Sequence, residues 1–155
     1  DLILADGDIA AEYPFYALVD LNGSGAPVLI ISTTQSDFIT AEDKASVYVW
    51  ANGAAEEAIS VAGGAGDRFF ANPGEGILTH YSRLSGEEHI RVYRAVDGGL
   101  ELVTSVDRYS AHHYPEKDSD EPVWLKDGAP ITEEEGEALF RQYAEDNAVS
   151  YPCKF

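Results

Sequence analysis

The segment VYVWANGAAEEAISV, residues 47–61, carries a strong β-hairpin signal. Successive side chains of a strand point to opposite faces, so Val47 and Val49 are expected on one face of the first strand. Tyr48 and Trp50 are expected on the other face. The Asn-Gly dipeptide that follows favours the tight turn of a two-residue hairpin loop. The segment therefore predicts two antiparallel strands joined at this turn.

A second segment, IRVYRAVDGGLELVTSV at residues 90–106, echoes the first. It repeats the order of features: an alternating strand with aromatic residues, a glycine-bearing turn and a second β-rich run. The internal repeat has a period of about 50 residues, the size of one four-stranded propeller blade. Turn signals elsewhere fall about every ten residues, which is typical of antiparallel meanders. We therefore predict a mainly β fold, all-β or α+β, whose meanders are blade-like or form an open curved sheet.

Residues 1–155 are expected to form a single domain, because the length suits one domain and no long linker interrupts the chain. Apolar residues make up 45% of the sequence, which is sufficient for a buried core. Two blade-like units could lie within the domain, at residues 13–62 and 67–110. A C-terminal strand and a short helix are predicted within residues 123–146.

The predicted C-terminal helix has a recognisable start. Thr132 and Glu135 have the spacing of a capping box, in which the two residues satisfy each other's free backbone N–H groups. The helix is expected to run to about Ala144. Three of its side chains can share one face and dock on the sheet: Leu139, Phe140 and Tyr143.

Acidic residues dominate the charge, with 28 Asp and Glu against 10 Lys and Arg and a formal net charge of −18. Such a surface repels phosphate backbones, so we expect no nucleic-acid partner, and anionic membranes are disfavoured for the same reason. No apolar run approaches the roughly 20 residues of a transmembrane segment. The partner classes left open are a protein and a carbohydrate ligand.

Cys153 is the single cysteine, so the chain cannot form an internal disulfide, and too few ligands exist for a zinc cluster or an iron–sulfur site. The chain starts at Asp1 and contains no methionine, which we interpret as either a trimmed chain or a mature form. A signal peptide or a lipid anchor upstream would leave no trace in this sequence.

The stretch YALVDLNGSGAPVLIIST, residues 16–33, contains a loop with the pattern of a calcium site. Asp20, Asn22 and Ser24 occupy positions one, three and five, where such loops place oxygen ligands. A glycine stands at position six, and Ala26 at position seven would offer its carbonyl group. A turn in which the Asp and Asn side chains bind backbone amides is the other interpretation.

The same stretch resembles the D-x-D-G-D-G-x-P-E-L loop of exported and lipoprotein domains of gut bacteria, which is similar to the FG-GAP and VCBS repeats of β-propellers. The phrases VYVWANG and WLKDGAPITEEEGEALFRQY match the order and spacing of those domains over most of the chain. The resemblance implies an extracellular or cell-surface protein of a bacterium, with calcium at the loop and a lipid anchor upstream.

Several positions of the loop depart from that pattern. Acidic residues are replaced by Asn22, Ser24 and Val28 at positions three, five and nine. Ile31 stands at position twelve, where an EF-hand loop has a bidentate Glu. Asp20 is the one carboxylate that remains, so any calcium affinity is expected to be millimolar or weaker.

Five aromatic residues on predicted strands are candidates for a ligand-binding surface: Tyr48, Trp50, Tyr81, Tyr93 and Trp124. If several share an exposed face, they would stack on sugar rings or on a peptide. The alternative is that they belong to the core. His80 and His89 are expected on neighbouring strands, as part of a surface ladder rather than as a general base.

No motif supplies a nucleophile, a base and an orienting acid together. We therefore expect a non-catalytic, exported or cell-surface binding domain with a weak calcium-binding turn and no other cofactor. The alternative is a secreted hydrolase acting on glycans, which would need two carboxyl groups about 5–10 Å apart. A purely structural module is a third interpretation.

Overall fold

The computed structural model describes residues 7–62, 66–111 and 121–155. The fold is mainly β, with two open antiparallel sheets and a short helix near the C-terminus, which confirms the predicted fold class. The strands of the first sheet are β1 (Phe15–Val19), β2 (Val28–Ser32), β3 (Lys44–Ala51), β4 (Ala54–Ala62) and β11 (Cys153–Lys154). Their order across the sheet is β11-β1-β2-β3-β4.

The second sheet contains β5 (Asp67–Asn72), β6 (Ile77–Leu84), β7 (Glu87–Val96), β8 (Gly99–Tyr109), β9 (Val123–Lys126) and β10 (Ala129–Ile131). Its strand order, β10-β9-β8-β7-β6-β5, follows the chain order, so the sheet is a continuous meander. The helices are α1 (Gly7–Glu12) and α2 (Glu133–Ala144). Neither of these two helices of the described residues has the length and apolar character needed to cross a membrane.

The hairpin predicted at residues 47–61 forms between β3 and β4. Asn52 and Gly53 occupy its turn with φ angles of 51° and 81°. Two successive positive φ values are typical of the type I′ turn, whose twist matches that of the flanking strands. The turn that the Asn-Gly dipeptide predicts is therefore the turn that the structure contains.

Both long hairpins carry a β-bulge at the same place. In the β3–β4 hairpin the register shifts next to Tyr48, which leaves Ala58 without a direct cross-strand partner. In the β7–β8 hairpin it shifts next to Tyr93, which leaves Val103 without one. The two tyrosines lie equally far from their turns, so the echo between the two sequence segments extends to the backbone.

The two sheets face each other across the main hydrophobic core. The first sheet contributes Ile30, Val47 and Val61, and the second contributes Phe69 and Leu78. The fully buried Tyr151 closes the core from the C-terminal segment. A second core lies between the other face of the second sheet and α2, so the architecture has three layers: sheet, sheet and helix.

The start of α2 is the predicted capping box. The Thr132 Oγ1 atom accepts a hydrogen bond from the Glu135 N–H at 3.2 Å. The Glu135 carboxylate accepts one from the Thr132 N–H at 2.9 Å. The helix ends at Ala144, as expected, and Leu139, Phe140 and Tyr143 contact the second core.

Candidate functional site

The loop between β1 and β2 is stabilised by its own side chains. The Asp20 Oδ2 atom accepts a hydrogen bond from the Gly25 N–H at 3.0 Å. The Asn22 Oδ1 atom accepts one from the Ser24 N–H at 3.1 Å. The Ser24 hydroxyl oxygen accepts one from the Ala26 N–H at 3.2 Å. The three side chains that the sequence predicts as metal ligands therefore each bind a backbone amide.

One oxygen of this loop has no protein partner. The Asp20 Oδ1 atom is buried and makes no hydrogen bond with the described residues. Val28 and Ile31, which replace the acidic residues of the loop pattern, are buried in the fold. Within the described residues no three His, Cys, Asp or Glu side chains form a group that could hold a metal. A cation at this loop would therefore depend on the Asp20 carboxylate.

The same loop forms one wall of an open cleft with a volume of about 370 Å³. The tip of the β7–β8 hairpin, residues 95–99, forms another wall, and Val49 and Trp50 of β3 also line the space. Three predicted metal-site residues line this cleft together with Trp50: Asn22, Ser24 and Ala26. The structure thus combines two candidate sites that the sequence analysis treats separately.

Apolar side chains and polar groups both line the cleft. Trp50 is 52% exposed and Val96 is 40% exposed, so both present their side chains to solvent. Among the described lining residues, Asp97 is the only ionisable one. A half-exposed indole ring can stack on a flat or cationic group of a ligand. The Asp97 carboxylate makes the local charge negative.

The apolar surface continues from Trp50 over the outer face of the first sheet. Leu18, Leu29 and Tyr48 form a cross-strand row on this face, and Trp50 lies two residues beyond Tyr48 on the same side of β3. Leu18 is 53% exposed. Partial burial, and then the nearby Glu57 carboxylate, raise the pKa of Tyr48. Tyr48 and Trp50 therefore share a surface, as their alternation predicts.

The other three candidate aromatic residues lie elsewhere. Tyr93 contacts the main core between the sheets. Tyr81 and Trp124 lie beneath α2, where each contacts Phe140 edge-to-face, with ring centroids 6.2 Å and 5.2 Å apart. These three side chains stabilise the fold, so of the five candidate aromatic residues Tyr48 and Trp50 are the two on the outer face of the first sheet.

A second polar cluster, which we call the histidine face, lies on the side of the second sheet that faces the first. His80 Nε2 is 2.9 Å from Asp67 Oδ1. His89 Nδ1 and an Arg91 guanidinium nitrogen each lie 2.7 Å from Asp107 Oδ1. Both carboxylates are buried, with Asp67 3% and Asp107 8% exposed. The prediction of a surface ladder is wrong here, because neighbouring strands supply buried partners to both histidines.

The histidine face contains the residue types of a catalytic triad without its hydrogen bonds. Ser82, His89 and Asp107 are direct neighbours across three strands. In a triad the second ring nitrogen of the histidine binds the serine hydroxyl. Here His89 Nε2 lies 3.2 Å from Glu87 Oε2 instead. Both ring nitrogens of His89 therefore face carboxylates.

Sequence reasoning misses the histidine face because the pairing register of the strands cannot be determined from the sequence. Alternation alone places His89 and Arg91 on one face of their strand. Asp107 lies opposite His89 only because of the β7–β8 register, which the bulge at Val103 shifts by one residue. The adjacent His112 and His113, for which a solvated loop is the simplest prediction, lie outside the described residues.

Comparison with known proteins gives no family for the chain. No family model matches it, and no curated protein or solved structure shows significant similarity to it. The features of the molecule that bear on function are therefore the cleft, the surface around Trp50 and the histidine face.

Proposed function

We propose that the protein is a non-catalytic binding domain, exported by a bacterium or displayed on its surface, and that it holds its ligand in the cleft beside Trp50. The observation that carries this proposal is the 52% exposure of Trp50 at the edge of a 370 Å³ cleft. Exposed apolar residues scattered singly need no explanation, but Trp50 is continuous with Leu18, Tyr48 and Val96. Contiguous apolar surface of this kind marks binding sites.

Two features of the cleft favour binding. The loop wall is preorganised by the hydrogen bonds of Asp20, Asn22 and Ser24, so little conformational entropy is lost when a ligand arrives. The cleft residues in the described part of the chain include Ser24, but no histidine that could activate its hydroxyl. The Ser24 oxygen already accepts a backbone hydrogen bond.

The proposal is tested by probing glycan and peptide arrays with the wild-type protein and two variants. Trp50→Ala removes the exposed indole, and Leu84→Ala removes a 48% exposed side chain from the second sheet as a matched control. We expect the wild type and Leu84→Ala to bind the same ligand, and Trp50→Ala to bind it about tenfold or more weakly. Equal binding by all three proteins would refute a site at Trp50.

A hydrolase acting on glycans is the second candidate, and the histidine face is the observation that favours it. Asp67 and Asp107 lie in one row, and three strand spacings separate their Cα atoms by about 14 Å. Glu87 and Asp107 are closer, since both contact His89. Release of reducing sugar ends that is lost in Glu87→Gln would support this alternative.

Weak calcium binding at the loop is part of the proposed function. The buried Asp20 Oδ1 atom favours it, because a buried carboxylate oxygen without a hydrogen bond lacks a partner that a hard cation would supply. Calcium held there would stiffen one wall of the cleft and would link ligand binding to the calcium concentration outside the cell.

A further inference from the structure

We infer that the ligand of the cleft is a basic peptide segment, and that a lysine ammonium or an arginine guanidinium group contacts Trp50. This inference rests on the proposed function and names the ligand class. The charge distribution around the indole ring is the first argument. Asp97 lines the cleft, and no Lys, Arg or His lines it in the described part of the chain. An aromatic ring beside a carboxylate attracts cations both through the ring quadrupole and through charge.

Glu57 supplies a second carboxylate, on the sheet face that carries Trp50. Trp50 pairs with Ala55 across the β3–β4 hairpin, and Glu57 pairs with Tyr48. Glu57 is therefore a diagonal neighbour of Trp50 on the outer face, within reach of a long side chain. It is exposed and makes no hydrogen bond or ion pair with any described residue.

The adjacent Glu56 differs from Glu57 in both respects. It pairs with Val49, which lies on the opposite face of β3. Its carboxylate accepts a hydrogen bond from the Asn52 side-chain amide at 3.2 Å. Glu56 and Glu57 therefore carry the same charge one residue apart, but only Glu57 shares a face with Trp50. This contrast provides a matched control for the electrostatic argument.

Anionic and neutral ligands are less well matched to this site. The formal net charge of −18 repels an acidic ligand before contact. A neutral sugar is oriented by several hydrogen bonds, but Asn22 Oδ1 and Ser24 Oγ already accept bonds from the loop backbone, which leaves these side chains mainly as donors. A peptide also covers the apolar surface beyond the cleft, since Leu18 and Tyr48 extend it along the outer face.

The experiment compares three probes of matched length: tetra-lysine amide, acetylated tetra-glutamate and cellotetraose. Binding is measured by calorimetry at low salt, with the wild type, Trp50→Ala, Glu57→Gln and Glu56→Gln. We expect tetra-lysine to bind, and its affinity to fall about tenfold in Trp50→Ala and about threefold in Glu57→Gln. Glu56→Gln should leave the affinity unchanged, and added salt should weaken binding to the wild type.

Each other result overturns the inference and is informative about the proposed function. If cellotetraose or tetra-glutamate binds in a Trp50-dependent way and tetra-lysine does not, the cationic ligand is refuted and the binding cleft stands. If tetra-lysine binds the wild type and Trp50→Ala equally, the attraction is a property of the whole acidic surface and the inference is refuted. If Glu56→Gln weakens binding as much as Glu57→Gln, the attraction does not depend on the sheet face of Trp50 and the inference is refuted.

Discussion

Gly136 of α2 lies directly against the indole ring of Trp124. A Cβ atom at Gly136 would overlap the six-membered ring, and the glycine is the buried residue of the helix. Glycine in a helix costs about 1 kcal/mol relative to alanine. The close approach of helix and sheet at this point offsets that cost, because it allows Trp124 and Phe140 to pack in the second core.

The first prediction concerns this contact. Gly136→Ala should destabilise the protein by about 1–3 kcal/mol, since overlap with Trp124 outweighs the gain in helix propensity. Urea denaturation measures the change in the free energy of unfolding. Glu134→Ala, at an exposed position of the same helix, is the control and should change it by less than about 0.5 kcal/mol. A stabilised Gly136→Ala variant would contradict the packing described here.

The histidine face leads to a second prediction. Asp107→Ala leaves both His89 and Arg91 without their shared acceptor in a largely buried place. We expect a loss of about 1–3 kcal/mol of stability, measured by thermal or urea unfolding. Glu101→Ala removes an exposed carboxylate from the same strand and should have little effect. Equal effects of the two substitutions would show that the cluster contributes nothing to stability.

The third prediction concerns the alkaline stability of the fold. Burial, together with the hydrogen bond from the Tyr81 hydroxyl to Glu88, raises the pKa of Tyr81 to about 12. The ordinary pKa of tyrosine is near 10. Between these values the unfolded chain releases the phenolic proton first, so the free energy of unfolding falls as the pH rises from about 10 to about 12. Below pH 10 the phenol is protonated in both states and this contribution is fully present.

Tyr81→Phe removes this proton, so the variant should lose less stability than the wild type over the same pH interval. Urea titrations at pH 9, 10, 11 and 12 provide the comparison. Tyr48, Tyr93 and Tyr151 also have raised pKa values, mainly through burial, so part of the pH dependence remains in the variant. Parallel curves for the two proteins would show that the Tyr81 phenol does not contribute.

The fourth prediction addresses calcium. Calorimetric titration of the wild type should detect binding in the millimolar range, as expected for a loop with one carboxylate. Asp20→Asn keeps an oxygen that can accept the Gly25 N–H but removes the charge, so it should abolish binding without disrupting the loop. The absence of heat with the wild type, measured at millimolar calcium, would end the calcium proposal.

The local elements of this fold could be predicted from the sequence, because their signals lie within a few residues. Asn52 and Gly53 mark a turn that needs two positive φ angles, and Thr132 and Glu135 mark the start of α2. The distribution of the aromatic residues could not be predicted. Which face of the second sheet is covered by a helix is decided by tertiary packing, and Trp124 lies on that face.

The long-range polar contacts could not be predicted from the sequence either. Asp67 and Asp107 reach the histidines only because β5 to β8 pair in one particular register. A shift of one residue would move a side chain to the opposite face of its strand. The cleft has the same origin, since its walls come from the loop after β1 and from the tip of the β7–β8 hairpin.

Because the two long hairpins have matching bulges, each residue near the tip of one hairpin has a structurally equivalent residue in the other. Trp50 follows Tyr48 by two positions, and Ala95 follows Tyr93 by two positions, so these residues are equivalent in the two hairpins. Both line the cleft. One scaffold position thus holds the largest natural side chain in one copy and nearly the smallest in the other. The cleft arises here from broken internal symmetry, and a bulky residue at position 95 would restore the symmetry and narrow the cleft.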